Sequence, residues 1–256
     1  MLMAIDVGNT NIVVGAYDGK TMLTHWRIAT NKQKTSDELG ILIVQLFKHA
    51  GIDPAMVDSI VISSVVPPLN HTIEAMSYKF WHVRPILVSA ELNLGIRIRY
   101  DNPWELGADR IVNAVAAKEL FGTPCIVVDF GTATTLDVVS REGEYLGGSI
   151  APGIAVSTEA LFQRAARLYK VEIRKPGRAI GRTTSEALQS GIFWGFVGQV
   201  DKLIERTEAE LGEKAFVVAT GGLAGLVAPE CKSVQKIEPF LTLEGLRIIH
   251  ERLSKC

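Results

Sequence analysis

Two short stretches carry the same chemical equipment. Asp6-Val7-Gly8-Asn9-Thr10-Asn11 stands between apolar runs at 2–5 and 12–14. Asp129-Phe130-Gly131-Thr132-Ala133-Thr134-Thr135 stands between runs at 125–128 and 136–139. The first reads as strand, tight turn, strand, with Gly8 free to take φ > 0 and the Asn-Thr-Asn side chains able to hydrogen-bond at the turn. A strand end of this kind can hold an anion on backbone N–H groups, which glycine lets approach closely. Its carboxylate can hold a cation against the anion's charge. A nucleotide triphosphate with its magnesium asks for that equipment. Either stretch taken singly is equally an ordinary hairpin with a polar tip, in which aspartate bonds to nearby backbone. Two at matching places favour a phosphate clamp.

A third stretch, Tyr100-Asp101-Asn102-Pro103-Trp104-Glu105-Leu106-Gly107-Ala108-Asp109-Arg110, ends a loop at Gly107 and puts Asp109 and Arg110 in the first turn of a helix. An acid there complements the helix dipole, which alone would account for Asp109. Arg110 gains nothing from a helix N-terminus. An arginine fork beside a carboxylate could bind a substrate carboxylate while Asp109 accepts a hydroxyl proton. Thr183 and Glu186 have capping-box spacing. The helix after them carries Gly191, Gly195 and Gly198, which favours a close helix contact within the chain or across a dimer.

The elements that must position these residues fall into two similar halves. Strands at 2–5, 12–17 and 21–28 form a meander, followed by a helix after Thr35, a strand at 59–65, a helix at 72–80 and a strand at 86–88. Residues 89–105 read as irregular, and a helix spans 108–121. The pattern restarts at Cys125 with strands at 125–128, 136–139 and 145–150. Helices follow Gly153 and Thr184, then come a strand at 215–219, the glycine turn Thr220-Gly221-Gly222, a short helix, a strand at 233–237 and a helix at 241–253. Setting Asp6 on Asp129 puts Gly8 on Gly131. The expectation is an α/β chain of two duplicated domains, 1–112 and 113–256, with a central interdomain cleft.

Competing classes are disfavoured. Gly19-Lys20-Thr21 resembles the end of a P-loop, but Val14 stands where that motif needs glycine. Gly221-Gly222-Leu223-Ala224-Gly225 fails the dinucleotide pattern GxGxxG. A net charge of −1 over 256 residues gives no electrostatic case for nucleic acid or an anionic membrane. Cys125, Cys231 and Cys256 are too few and too scattered for a disulfide framework or a zinc site, and fit a reducing cytosol. The N-terminus lacks a signal-peptide pattern, and no run approaches about 18 uncharged apolar residues, so no membrane span is expected.

With these residues in view, the sequence resembles the type III pantothenate kinases of the actin-like, sugar-kinase-like ATPase superfamily, whose domains are ribonuclease-H-like. The likeness covers essentially the full length. It rests on Asp6-Val-Gly-Asn-Thr10, Gly107-Ala-Asp-Arg110, Asp129-Phe-Gly-Thr-Ala-Thr-Thr135, Gly147-Gly-Ser-Ile-Ala-Pro-Gly153 and Thr220-Gly-Gly222. Ile180-Gly-Arg-Thr-Thr184 departs from the family's more usual Ile-Gly-Lys-Asn-Thr at Arg182 and Thr183. The resemblance implies ATP-dependent phosphorylation of pantothenate at its primary hydroxyl, the entry to coenzyme A synthesis. It implies that Asp6, Val7, Gly8, Asn9, Thr10, Asn11, Ile12 and Val13 hold ATP phosphates, joined by Thr132. It implies that Asp129 binds a monovalent cation (K+ or NH4+) and that Asp6 stands near Mg2+. Tyr100, Gly107, Ala108, Arg110 and Thr184 would touch pantothenate, with Asp109 as proton acceptor. The implied enzyme is a cytoplasmic homodimer. Another small-molecule kinase, or a phosphatase, of the superfamily would keep both Asp-x-Gly turns without needing the Gly107–Arg110 tetrad. A non-catalytic regulatory relative would be expected to have lost Asp109 or a phosphate turn.

Overall fold

Alternation of side chains decides the first sheet. Met3, Ile5 and Val7 of β1 (Leu2–Val7), Ile12, Val14 and Ala16 of β2 (Asn11–Asp18) and Ile60 and Ile62 of β4 (Ser59–Ser64) turn into one core. The period of two leaves Ala4, Asp6, Gly15 and Ser63 on the opposite face. β3 (Thr21–Ala29) completes the meander and β5 (Ile86–Leu87) adds a short edge. The order is β3-β2-β1-β4-β5, antiparallel through the meander and parallel from β1 to β4 to β5. The computed structural model describes residues 1–164 and 171–255, so Cys256 lies outside the described residues.

Two helices fill the core face. α1 (Ser36–His49) supplies Leu39, Ile43 and Phe47, and α2 (Pro67–Trp81) supplies Leu69, Ile73 and Met76. α1 opens on a capping box in which Thr35 and Glu38 bond to each other's backbone N–H, at 3.3 and 2.8 Å. Such a cap contributes about 1 kcal/mol. α2 starts at Pro67, five residues ahead of the helix expected at 72–80. Proline suits the first helical position, where no N–H is needed, and the Ser64 hydroxyl accepts the Val66 N–H at 3.2 Å just before it. A Cβ on Gly40 would fall 2.2 Å from the Phe80 ring, so glycine sets how closely α1 and α2 approach.

The second sheet repeats the first. β7 (Cys125–Phe130), β8 (Ala133–Val139), β9 (Glu144–Pro152), β10 (Phe216–Thr220) and β11 (Lys236–Ile237) run in the order β9-β8-β7-β10-β11 with the same parallel and antiparallel pairings. Even the irregularities match: the register shifts between Ala16 and Tyr17 in β2 and between Val138 and Val139 in β8. Ile126, Val128, Phe130, Leu136 and Val138 face a core filled largely by α5 (Thr184–Leu211). One strand was not expected. β6 (Arg97–Ile98), in the stretch read as irregular, pairs with β9, and two residues are too few to show a period.

The chain groups into two compact units. One comprises Met1–Ile96, Asp101–Ala116 and Thr242–Cys256; the other comprises Arg97–Tyr100 and Ala117–Leu241. The halves 1–112 and 113–256 describe repeated order along the chain, whereas this grouping describes packing. α7 (Leu241–Leu253) shows the difference, because nearly all of it belongs to the first unit. Its Leu243 packs against Gly15, where a Cβ would lie 3.0 Å from the leucine, and Tyr17 donates its hydroxyl to Glu244 at 2.9 Å. Gly245 meets α3 (Ala108–Phe121): a Cβ there would fall 2.4 Å from the Val112 carbonyl. α7 thus lies over the face of the first sheet that carries Asp6, and α3 packs against α7. No helix among the described residues is long and apolar enough to cross a membrane. Cys125 and Cys231 are free, and burial pushes both thiols up to about 12.

Candidate active site

The first turn is held by its own backbone and by β3. The Gly8 N–H donates to the Asn11 carbonyl at 2.9 Å, Thr30 Oγ1 donates to the Gly8 carbonyl at 2.6 Å, and the Thr30 N–H donates to the Thr10 carbonyl at 3.0 Å. Asn9 and Thr10 are exposed at the tip, while Gly8, Asn11 and Val13 are half-buried. Gly8 does not use the positive φ open to glycine. Glycine is needed there for space, since a Cβ would stand 3.0 Å from the Asn11 carbonyl. Val7 and Ile12 send their side chains into the core, so any ligand contact they make is through backbone.

Asp6, at the end of β1, is the register partner of Val13 on β2 and Ser63 on β4. Parallel neighbours in register present side chains to the same face, so Ser63 stands beside Asp6. Ser63 is 0% exposed and, among the described residues, its hydroxyl has no hydrogen-bond partner. Leaving a buried hydroxyl unpaired costs about 1–3 kcal/mol. Ser64, next along the strand, is fully engaged: it donates to Asn70 Oδ1 at 2.6 Å and accepts from Val66. Sequence reading placed Ser63 at the end of a buried strand and gave it no role; the signal was a hydroxyl following the apolar run Ile60–Ile62.

The Gly107–Arg110 tetrad lies at the same end of this sheet. The Val65 N–H donates to the Val7 carbonyl at 3.1 Å, and a Cβ on Gly107 would stand 3.5 Å from Val65. That Cβ would also meet Asp109 Oδ1 at 2.5 Å, so glycine makes room for the carboxylate. Asp109 Oδ1 accepts the Arg110 N–H at 2.8 Å. Burial pushes the Asp109 carboxyl above the ordinary aspartate value, opposed in smaller measure by that N–H and the Arg110 charge. A raised pKa makes Asp109 a stronger base than a free aspartate, whose reference value is about 3.9. Arg110 is 7% exposed, so its guanidinium is held inside the fold rather than waving in water.

The second turn belongs to the other unit and is built differently. The Gly131 N–H donates to the Ala133 carbonyl at 3.0 Å, so this loop closes over one fewer residue than the first. The register agrees: three residues separate the Phe130–Thr134 pair, and four separate Val7–Ile12. Asp129 is walled by glycines. A Cβ on Gly221, at φ +94°, would sit 2.4 Å from Asp129 Oδ1, and one on Gly131 would sit 3.3 Å away. Thr220 is the β10 register partner of Asp129, as Ser63 is of Asp6. Thr132 is exposed at the tip, and its carbonyl accepts the Gly153 N–H at 3.1 Å.

Two further expected contacts lie in this unit. Tyr100 packs over Gly147, 3.4 Å from where a Cβ would be, and beside Tyr145 with ring centroids 6.3 Å apart. Tyr145 donates its hydroxyl at 2.8 Å to Asp137, a fully buried carboxylate that sequence reading missed. Its signal was a charge inside the apolar run 136–139. Thr184 is exposed at the start of α5, after Thr183, whose hydroxyl caps the helix by accepting the Glu186 N–H at 3.2 Å. The Glu186 carboxylate reaches the Arg182 N–H at 2.7 Å instead of completing a capping box. Among the described residues nothing lies within 4 Å of a Cβ on Gly191, Gly195 or Gly198, so these glycines make no close helix contact there.

The site thus comprises, within the first unit, a polar turn with Asp6 and an N-terminal helix turn with Asp109 and Arg110. The second unit separately carries a glycine-walled Asp129 with Thr132, Tyr100 and Thr184. Comparison with known proteins gives this set a context. The family model described as type III pantothenate kinase matches residues 2–206. The chain is 55% identical to the type III pantothenate kinase of Myxococcus xanthus, over 98% of both chains. It is 53% identical to that of Geobacter sulfurreducens, over 98% of this chain and 99% of the other. Among solved structures it is similar to the inorganic polyphosphate/ATP-glucomannokinase of an Arthrobacter strain, with a TM-score of 0.52 and 12% identity over 99% and 98% of the two chains. That last likeness concerns the fold alone.

Proposed function

The chain belongs to the type III pantothenate kinase family, and from that premise we propose which of its residues carry each part of the reaction. The family reaction is ATP-dependent phosphorylation of pantothenate, which opens coenzyme A biosynthesis. Residues 6–13 take the ATP phosphates on the first turn, with Thr132 adding a contact from the second. Tyr100, Gly107, Ala108, Arg110 and Thr184 touch pantothenate.

One observation carries the assignment of Asp109: a carboxylate whose pKa burial raises, fixed in the first turn of α3 by the Arg110 N–H. It accepts the proton of the pantothenate hydroxyl as that oxygen attacks the γ-phosphorus. Phosphoryl transfer through a loose transition state asks little basicity of the acceptor early on. Orienting the hydroxyl in line is therefore the larger part of the task. Arg110, enclosed beside it, offers its fork to a pantothenate oxygen, where a lysine could not reproduce the geometry.

Cation assignments rest on donor chemistry. Among the described residues no three His, Cys, Asp or Glu side chains gather as a metal cluster. Asp6 beside the phosphate turn suits Mg2+, which is held by one or two carboxylates with phosphate and water completing its shell. Bound with ATP, Mg2+ would neutralise charge on the phosphates. Asp129 is proposed to hold K+ or NH4+, because it is an acid at the strand end matching Asp6 and the glycines at 131 and 221 put no side chain against its carboxylate. The enzyme is further proposed to be a cytoplasmic homodimer. Apolar Leu146, Ile150 and Ile180 are 40%, 64% and 82% exposed, and a second copy would cover them.

The test of the set is ATP consumption with Mg2+, with and without pantothenate and K+. Turnover should need pantothenate and rise with K+. Turnover with an unrelated hydroxy acid alone would overturn the pantothenate contacts, and indifference to K+ would overturn Asp129. Sedimentation at micromolar concentration should give a dimer; a monomer would overturn the pairing.

A further inference from the structure

We propose that Ser63 is a positioning residue for the divalent cation, holding a water of the cation's hydration shell beside Asp6. Three observations meet at this hydroxyl. It is fully buried and has no hydrogen-bond partner among the described residues, a state that native proteins tolerate only where a water, ion or function explains it. It is the parallel register partner of Asp6 and shares its face, away from the core that takes Ile60 and Ile62. Its strand runs on to Val65, which bonds to Val7 and packs by Gly107, so the hydroxyl sits where the phosphate turn and the Asp109 helix meet the same sheet end.

The second sheet repeats the arrangement. Thr220 stands in register with Asp129, again a hydroxyl beside a carboxylate at the C-terminal end of the central parallel pair. Packing alone would accept alanine or valine at such a position. A hydroxyl beside a carboxylate suits a hydrated cation, because it can accept from one water or donate to the carboxylate that holds another. Magnesium dehydrates reluctantly and keeps several waters, so a protein holds it as much through water as through direct ligands. The proposal rests on Asp6 being the magnesium-side carboxylate.

The experiment compares Ser63→Ala, Ser63→Cys and Asp6→Asn with the wild type. Calorimetry measures ATP binding with Mg2+ and with EDTA, Mg2+ is titrated in the assay, and melting is followed without ligand. Losing one hydrogen bond to the hydrated ion corresponds to roughly a tenfold change. Ser63→Ala should therefore weaken MgATP binding and raise the half-saturating Mg2+ about tenfold. Binding of ATP in EDTA should be unchanged, and the ligand-free protein should melt at the same or a higher temperature. Ser63→Cys keeps the shape with only a weak donor and should shift Mg2+ dependence in the same direction, which also covers failure of the alanine variant to fold. Unchanged Mg2+ dependence in the Ser63 variants, with a clear shift in Asp6→Asn, overturns the role of Ser63. Unchanged Mg2+ dependence in Asp6→Asn overturns the underlying assignment of Asp6.

Discussion

The turn after β1 and the turn after β7 start from the same letters and finish as different devices. At Gly8 the closing bond reaches Asn11; at Gly131 it reaches Ala133. The longer loop leaves Asn9 and Thr10 exposed at its tip. The shorter one exposes Gly131 and Thr132, and glycines at 131 and 221 leave space beside the aspartate that any side chain would fill. A duplicated fold therefore supplies two aspartates at one topological position, and one residue of loop length separates the turn proposed to hold phosphates from the turn proposed to seat a small cation. Neither turn contains the proposed proton acceptor, Asp109, which comes from a helix start.

The largest expected effect tests that division. Asp109→Asn should lower turnover by roughly 10²–10⁴ while MgATP still binds, measured by steady-state kinetics and calorimetry. If the acid instead lies in a turn, turnover will be close to wild type. Because burial raises the folded-state pKa of Asp109, the ionised, active form is lost as pH falls through that raised value. The acid limb of kcat/KM should thus lie above the ordinary aspartate range and vanish in the asparagine variant. Linkage runs the other way: a raised folded pKa stabilises below the unfolded pKa and is lost as pH rises through the folded one. At neutral pH the asparagine variant should then melt no lower than the wild type.

The next effect separates the two aspartates. Asp129→Ala should abolish activation by K+ and leave the Mg2+ requirement in place, whereas Asp6→Asn should do the reverse; titrating each cation against each variant decides it. The reverse here means that Asp6→Asn raises the half-saturating Mg2+ and keeps K+ activation; if both variants respond alike, the turns are not specialised. A smaller effect compares the glycines themselves. Gly221→Ala forces a Cβ onto the Asp129 carboxylate at a positive φ, and should cost about 1–3 kcal/mol of stability in denaturant unfolding. Gly8→Ala meets only the Asn11 carbonyl, at 3.0 Å and without positive φ, and should cost about 1 kcal/mol or less. Equal losses would mean the two glycines serve the same purpose.

The repeat itself was legible because it is written in alternation: Met3, Ile5 and Val7 against Ile126, Val128 and Phe130 mark one core-facing edge in each half. Helix starts at Thr35 and Thr183 were legible from capping spacing. The difference between the turns was not, because Asp-x-Gly spells both and loop closure is decided by backbone bonds two or three residues on. β6 is too short to carry a period, and the start of α2 was hidden by prolines that punctuate and initiate alike. Ser63 was missed because a lone serine in a strand states nothing about whether its hydroxyl finds a partner. The attachment of α7 was hidden too, since it depends on Gly15 admitting Leu243 where the equivalent position in β8 is Asp137.

That attachment has a consequence for how the protein is made. Synthesis delivers the first sheet early, yet the helix lying over Gly15 and Tyr17 is encoded at 241–253. While the ribosome builds everything between, one face of the N-terminal sheet waits without its cover, and the second unit can complete its own core first. The first unit therefore cannot be completed until its last helix has been synthesised, although most of its sequence leaves the ribosome first.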